Sequence, residues 1–270
     1  MGVSTEEIVN ILIQNISMMD EVEAIGISGN KEQFPIAGEG DIDIFIYGNA
    51  IPDIQMRQDV MSKMKDLLEE GKTNVFEEGH WGIGDFVVIN GVETWLMYFT
   101  VDEALNEVES ILKGDYPDKV DNYYYPVGRC AMLRDISVKY DKNSFLSSIK
   151  DRLCNYPESL AKVIIEYHLD ELEDKEDLER AVSRKDVLFY HFALDIAIDH
   201  YLQALFALNR TFFPSRKRTL SFIKKFNIKP QKCDERLLEV VKLGSDPDSI
   251  NQSYLLLSDM IDELKELYKG

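Results

Sequence analysis

The stretch GEGDIDIFIYG, from Gly38 to Gly48, decides how the first half of the chain is read. It begins with two glycines around a glutamate and continues as a β-branched and aromatic run. That composition predicts a strand. Successive side chains in a strand point to opposite faces, so Ile42, Ile44 and Ile46 share one face and Asp41 and Asp43 the other. The isoleucines supply a core face. The aspartates form a paired carboxylate platform, and two carboxylates so close repel each other unless a cation or a proton intervenes. Oxygen ligands at this spacing suit Mg²⁺. The plain alternative is a solvated strand end carrying two surface acids.

Working outward, VEAIGIS (Val22 to Ser28) is a short apolar run that predicts a buried strand. A polar, glycine-containing loop joins it to the aspartate strand. Gly29 lets backbone approach a phosphate closely, and exposed amides around Ser28, Gly29 and Asn30 would make an anion nest. Further out, Ser4 with Glu7 reads as a capping box opening an amphipathic helix. Residues 53–70 read as a second helix stopped by Gly71. FVVIN and VETWLMYF flank Asn90-Gly91, a strong hairpin signal. Thr100 with Glu103 caps a helix ending near Gly114, and ISVKYD (Ile136 to Asp141) predicts one more strand. From about Ser144 strand signals cease, and helices follow, broken at Pro157, Pro214, Pro230 and Pro247. The expectation is an α+β chain: a small mixed-sheet domain over residues 1–142, then an all-α helical bundle over 143–270.

The 270 residues carry 49 acidic and 30 basic side chains, a formal charge of −19. Phosphate backbones attract basic surfaces, so this argues against a nucleic-acid partner. No apolar run approaches the roughly 20 residues of a membrane span. The N-terminus MGVSTEEIVN lacks the basic and apolar regions of a signal peptide. Cys130, Cys154 and Cys233 are few and far apart, as in a reducing compartment. A cytoplasmic protein is expected. His80, His168, His191 and His200 show no zinc-type spacing with each other or with the cysteines.

ISGN followed by a loop and DIDIF resembles the signature of the DNA polymerase β-like nucleotidyltransferase superfamily, in which a Gly-Ser pair, a loop and an Asp-x-Asp/Glu strand follow one another. The sequence departs from it at Asn30 and Gly40, where the family usually has Ser. The chain also resembles the lincosamide and aminoglycoside nucleotidyltransferases, small-molecule enzymes with a C-terminal helical domain. The resemblance implies a transferase that moves a nucleoside monophosphate, AMP by preference, from an NTP to a hydroxyl of a small molecule such as an antibiotic and releases pyrophosphate. It implies two Mg²⁺ ions on Asp41 and Asp43, phosphate contacts from Ser28, Gly29 and Asn30, and a third carboxylate that ligates metal or takes the acceptor's proton. Glu93, just past the Asn-Gly turn, is the candidate, and Asp85 its rival. Two other readings stay open: a degenerate nucleotide-binding or antitoxin-like module, and a D-x-D glycosyltransferase.

Between Tyr201 and Cys233 stand eight basic residues and no acid. Such segregation points to a role beyond solubility. Asn209, Arg210 and Lys217 are candidates to counter a triphosphate or pyrophosphate. The alternative is a basic face that docks on the acidic first domain or on a second subunit, giving a homodimer. GHWGIGDF is followed by a strand rather than a helix, so it is no dinucleotide fingerprint. Arg184 and His191 are spaced as in helical ribonuclease domains, a pairing more often structural.

Overall fold

A computed structural model describes residues 2–29, 34–119 and 124–269. The first helix, α1 (Thr5–Ser17), opens with the expected capping box: Ser4 Oγ accepts from the Glu7 N–H, and the Glu7 carboxylate accepts from the Ser4 N–H. Then come β1 (Val22–Ile27), β2 (Ile42–Gly48), α2 (Ile54–Lys63), β3 (Glu70–Phe76), β4 (Ile83–Ile89) and β5 (Val92–Thr100). They are followed by α3 (Val101–Lys113), α4 (Pro126–Asp135), β6 (Ser137–Asp141) and α5 (Phe145–Leu153). The helices α6 (Glu158–Glu171), α7 (Glu176–Arg184), α8 (Val187–Leu208), α9 (Thr219–Ile223), α10 (Cys233–Gly244) and α11 (Ile250–Lys269) complete the chain. This is a mixed α+β protein, as expected.

The six strands among the described residues form one sheet in the order β3-β4-β5-β2-β1-β6. Its central pair, β2 and β5, is parallel, and the other neighbours are antiparallel. The Asn-Gly turn forms as read: Asn90 (φ 49°) and Gly91 (φ 73°) both lie left-handed, as a type I′ hairpin turn requires. One sheet face packs on α1 and α2 through Ile42, Ile44, Ile46, Leu96 and Tyr98. The other is not a polar platform along its length. Beyond the aspartates Phe45 and Tyr47 are buried; Phe99 stacks on both, and Phe145 packs tilted against Tyr47.

Three local readings need correction. The expected helix over 53–70 ends at Lys63, and Gly71 lies inside β3. β3 escaped notice because it is an edge strand of mostly exposed polar residues with no apolar alternation. The short helix α4 was not anticipated. Arg184 and His191 do not share a helix, since α7 ends at Arg184 and α8 begins at Val187.

The chain forms two compact units. One comprises Met1–Glu109 with Met132–Asn155, the other Ser110–Ala131 with Tyr156–Gly270. A single boundary near residue 142 was the expectation. Within the second unit, the segment 110–131 is held by its own bonds to the helices: Tyr125 Oη donates to Asp199 at 2.6 Å, and Tyr125 packs edge-on against Phe213. The unit is built around α8, buried without interruption from Ala197 to Leu208, as befits a helix apolar all round. No helix among the described residues is long and apolar enough to cross a membrane.

Candidate active site

β2 positions the paired acids. Asp41 is exposed just ahead of the strand, and Asp43 is half-buried within it. Antiparallel β1 pairs Ile27 with Ile44, which brings Ser28 opposite Asp43. The Ser28 N–H donates to the Asp43 carbonyl at 3.0 Å, and its hydroxyl lies 3.4 Å from the Asp43 carboxylate. Gly29 follows at φ 89°, a conformation that strains any residue with a Cβ. Asn30 lies outside the described residues.

On the other side, parallel β5 pairs Ile42 with Thr94 and Asp43 with Trp95. Residues paired in register share a face, so Glu93 and Trp95 project on the same side as Asp41 and Asp43. Asp41 and Glu93 each precede the first residues of that ladder, Ile42 and Thr94, by one. Glu93 is exposed, as a group that meets a ligand must be. The three carboxylates thus collect where two parallel strands begin.

Asp85, the rival, faces the other way. It pairs with Leu96 on the core side of the sheet and is fully buried. Its carboxylate meets the buried Arg57 guanidinium at 2.5 Å and accepts from the Asn74 N–H at 2.9 Å. Burial raises the Asp85 pKa above the ordinary carboxylate value, against the lowering by Asn74 and Arg57. Asp85 belongs to a structural ion pair.

The same face holds residues that the sequence reading passed over. Trp95, beside Asp43, packs at 4.8 Å on Phe86 and at 6.0 Å on Phe76. All three are only half-buried, so a partly open aromatic surface borders the acids. Strand parity was the available signal, since Trp95 follows Glu93 by two. A pocket of about 400 Å³ lies elsewhere in this unit, at the opposite end of β2, where Asn49 and Glu23 line it.

The basic candidates lie in the second unit. Asn209 closes the end of α8: its amide donates to Leu205 O at 2.9 Å and Ile228 O at 2.7 Å and accepts from the Ile228 N–H at 3.1 Å. Arg210 makes a two-pronged ion pair with Glu158, at 2.9 and 2.7 Å. Lys217 is exposed. Two histidines without zinc-type spacing along the chain meet in space. His168 on α6 and His200 on α8 stand thirty-two residues apart, yet their Nδ1 atoms approach to 2.8 Å. Burial, then the neighbouring His200, pushes the His168 pKa down to about 4.

A family model described as a domain of unknown function (DUF4037) matches residues 123–218. No curated protein matches the chain. Among solved structures, a nucleotidyltransferase-like protein from Exiguobacterium sibiricum is similar in fold. It aligns with a TM-score of 0.50 over 96% of this chain and 75% of that one, at 11% identity. The chain shares the fold of that protein.

Proposed function

We propose that the protein is a metal-dependent nucleotidyltransferase that moves a nucleoside monophosphate, AMP by preference, from an NTP to a hydroxyl of a small molecule. The β2–β5 register supports this reading: it pairs Asp43 with Trp95, and Asp41 and Glu93 stand one residue before the first pair, Ile42 with Thr94. Three carboxylates and the Ser28 hydroxyl are a hard, all-oxygen donor set, with Asp41 and Glu93 exposed, and such a set fits Mg²⁺. Asp41 and Asp43 would hold the metal, with Glu93 beside them. Bound there, Mg²⁺ supplies charge stabilisation to the phosphate and the attacking oxygen.

Glu93 takes the proton of the acceptor hydroxyl. The hydroxyl oxygen then bonds to the α-phosphorus as the bond from that phosphorus to the pyrophosphate oxygen breaks. The Ser28 hydroxyl and the backbone at Gly29 face the phosphates; the Ser28 N–H does not, being committed to Asp43. Trp95 and its aromatic neighbours offer a wall for a flat ring. In the second unit, Lys217 is the candidate left for phosphate, since Asn209 and Arg210, though Arg210 is also exposed, are engaged at the end of α8.

The test is calorimetric titration with Mg²⁺-ATP, then mass spectrometry of candidate acceptors with each NTP and detection of pyrophosphate. Wild-type protein is expected to bind Mg²⁺-ATP, and Asp41→Asn/Asp43→Asn to lose it while remaining folded. Equal affinity in the two proteins refutes the metal platform. Binding without pyrophosphate release from any acceptor reduces the protein to a nucleotide-binding module.

A further inference from the structure

We propose that Asp118, His168 and His200 form a second metal site, separate from the carboxylates on β2, that takes a transition-metal dication of the zinc class. One ligand atom from each of the three lies within 4.8 Å of the others. They come from α6, from α8 and from the segment before α4, and all belong to the second unit.

His168 is oriented as a ligand is. His168 Nε2 lies 2.8 Å from the Pro117 carbonyl oxygen. A carbonyl only accepts, so Nε2 carries the proton and Nδ1 presents its lone pair to His200. A second-sphere carbonyl that fixes the tautomer in this way is the usual companion of a metal-bound histidine. Without an ion, the His200 Nδ1–H donates to that lone pair. With one, both Nδ1 atoms ligate. Zinc–nitrogen bonds of about 2.0–2.1 Å in a tetrahedron separate two ligand nitrogens by about 3.3 Å. The observed 2.8 Å therefore asks the rings to part by only about 0.5 Å.

Asp118 is also held in place. Its carboxylate accepts from the Lys119 N–H at 2.7 Å and from Gln203 Nε2 at 3.2 Å. Gln203 is 1% exposed and its Oε1 is buried with no hydrogen-bond partner among the described residues. A buried acceptor without a donor is costly, and a metal-bound water is a donor of the kind it lacks. Three protein ligands leave a coordination position for that water. Two imidazoles with one carboxylate favour zinc-class ions over Mg²⁺, whose ligands are oxygens. His200 also lines a pocket of about 230 Å³ in which Glu171, Asp174 and Asp177 outnumber Lys175, a balance that attracts cations.

The full chain, stripped with a chelator, is titrated with Zn²⁺ against a chromophoric zinc indicator and with Co²⁺ by visible absorption. The expected result is one tight equivalent per chain, with the intense d–d bands of four-coordinate Co²⁺. Millimolar Mg²⁺ should not displace it, and Asp41→Asn/Asp43→Asn should leave it intact. His200→Gln and Asp118→Asn should each weaken binding by more than the roughly 10–100-fold cost of an outer-sphere change. Wild-type protein that takes up no stoichiometric Zn²⁺ or Co²⁺ overturns the proposal without any variant. So does a folded His200→Gln protein, verified by circular dichroism, that binds like the wild type.

Discussion

Replacing Arg57 by Met tests the division of labour between the two faces of the sheet. Arg57 is 3% exposed and Asp85 is fully buried, so solvent does not screen their 2.5 Å contact. The guanidinium also donates to Pro52 O at 3.1 Å and Asn74 Oδ1 at 2.7 Å and lies 5.1 Å from the centre of the Tyr98 ring. Methionine keeps much of the volume and removes the charge, stranding a carboxylate in an apolar layer. Breaking a buried pair on one side costs about 3–5 kcal/mol. With a urea dependence of about 2 kcal/mol per molar, the unfolding midpoint should fall by roughly 1.5–2.5 M. The double replacement Arg57→Met/Asp85→Val removes both charges and should recover most of that loss.

The deficit should also depend on pH. Burial already holds the Asp85 pKa above its ordinary value while Arg57 lowers it, so losing Arg57 raises it further. A carboxyl whose folded pKa lies above its unfolded value stabilises the fold below the unfolded pKa and loses that contribution as pH rises through the folded one. The single variant should therefore be worst at neutral pH and improve as pH falls toward about 4. The assay is urea unfolding followed by far-ultraviolet circular dichroism at several pH values. A midpoint within about 0.5 M of wild type, or a double variant no better than the single one, refutes the structural pair. Folded Asp85→Asn protein should keep wild-type affinity for Mg²⁺-ATP, and a loss there would return Asp85 to the active site.

Other outcomes follow from the same geometry. Glu93→Gln keeps shape and removes the basic oxygen, so it should bind Mg²⁺-ATP normally yet transfer nucleotide on the order of 10²–10⁴ more slowly; wild-type turnover would remove the base from Glu93. Lys217→Ala should weaken NTP binding more than nucleoside binding, by roughly 1.5–3 kcal/mol for a lost charged contact, and equal effects in parallel titrations would assign the basic segment to docking. Glu158→Gln should lower stability by less than about 1 kcal/mol in urea unfolding, because its ion pair with Arg210 is largely exposed. Gly91→Ala should lower the thermal midpoint, because Gly91 sits at φ 73° and an added Cβ would come within 2.9 Å of Ala37; an unchanged midpoint would contradict the turn geometry.

What was legible in the sequence is what local chemistry writes there. The capping box at Ser4, the Thr100–Glu103 cap and the Asn90-Gly91 turn each need only a few consecutive residues, and each formed as read. β3 was lost because an exposed edge strand carries no periodic signal. The meeting of His168 with His200 was lost because it depends on how α6 packs against α8, not on spacing along the chain. The choice between Glu93 and Asp85 falls between these extremes. It turns on parity within a hairpin whose register the turn fixes. In β4, Asp85 alternates in phase with Val87 and Ile89, both fully buried, and so faces the core. In β5, Glu93 is out of phase with Val92, Thr94 and Leu96, and so faces away from it. A carboxylate in phase with a core needs a cationic partner. The sequence holds one: Arg57 precedes Val60 and Met64 by three and seven residues, on the apolar stripe of α2. An arginine on the buried face of a helix and an aspartate on the buried face of a strand are each too costly alone. The two anomalies resolve each other, and Glu93 is left as the acid free to join Asp41 and Asp43.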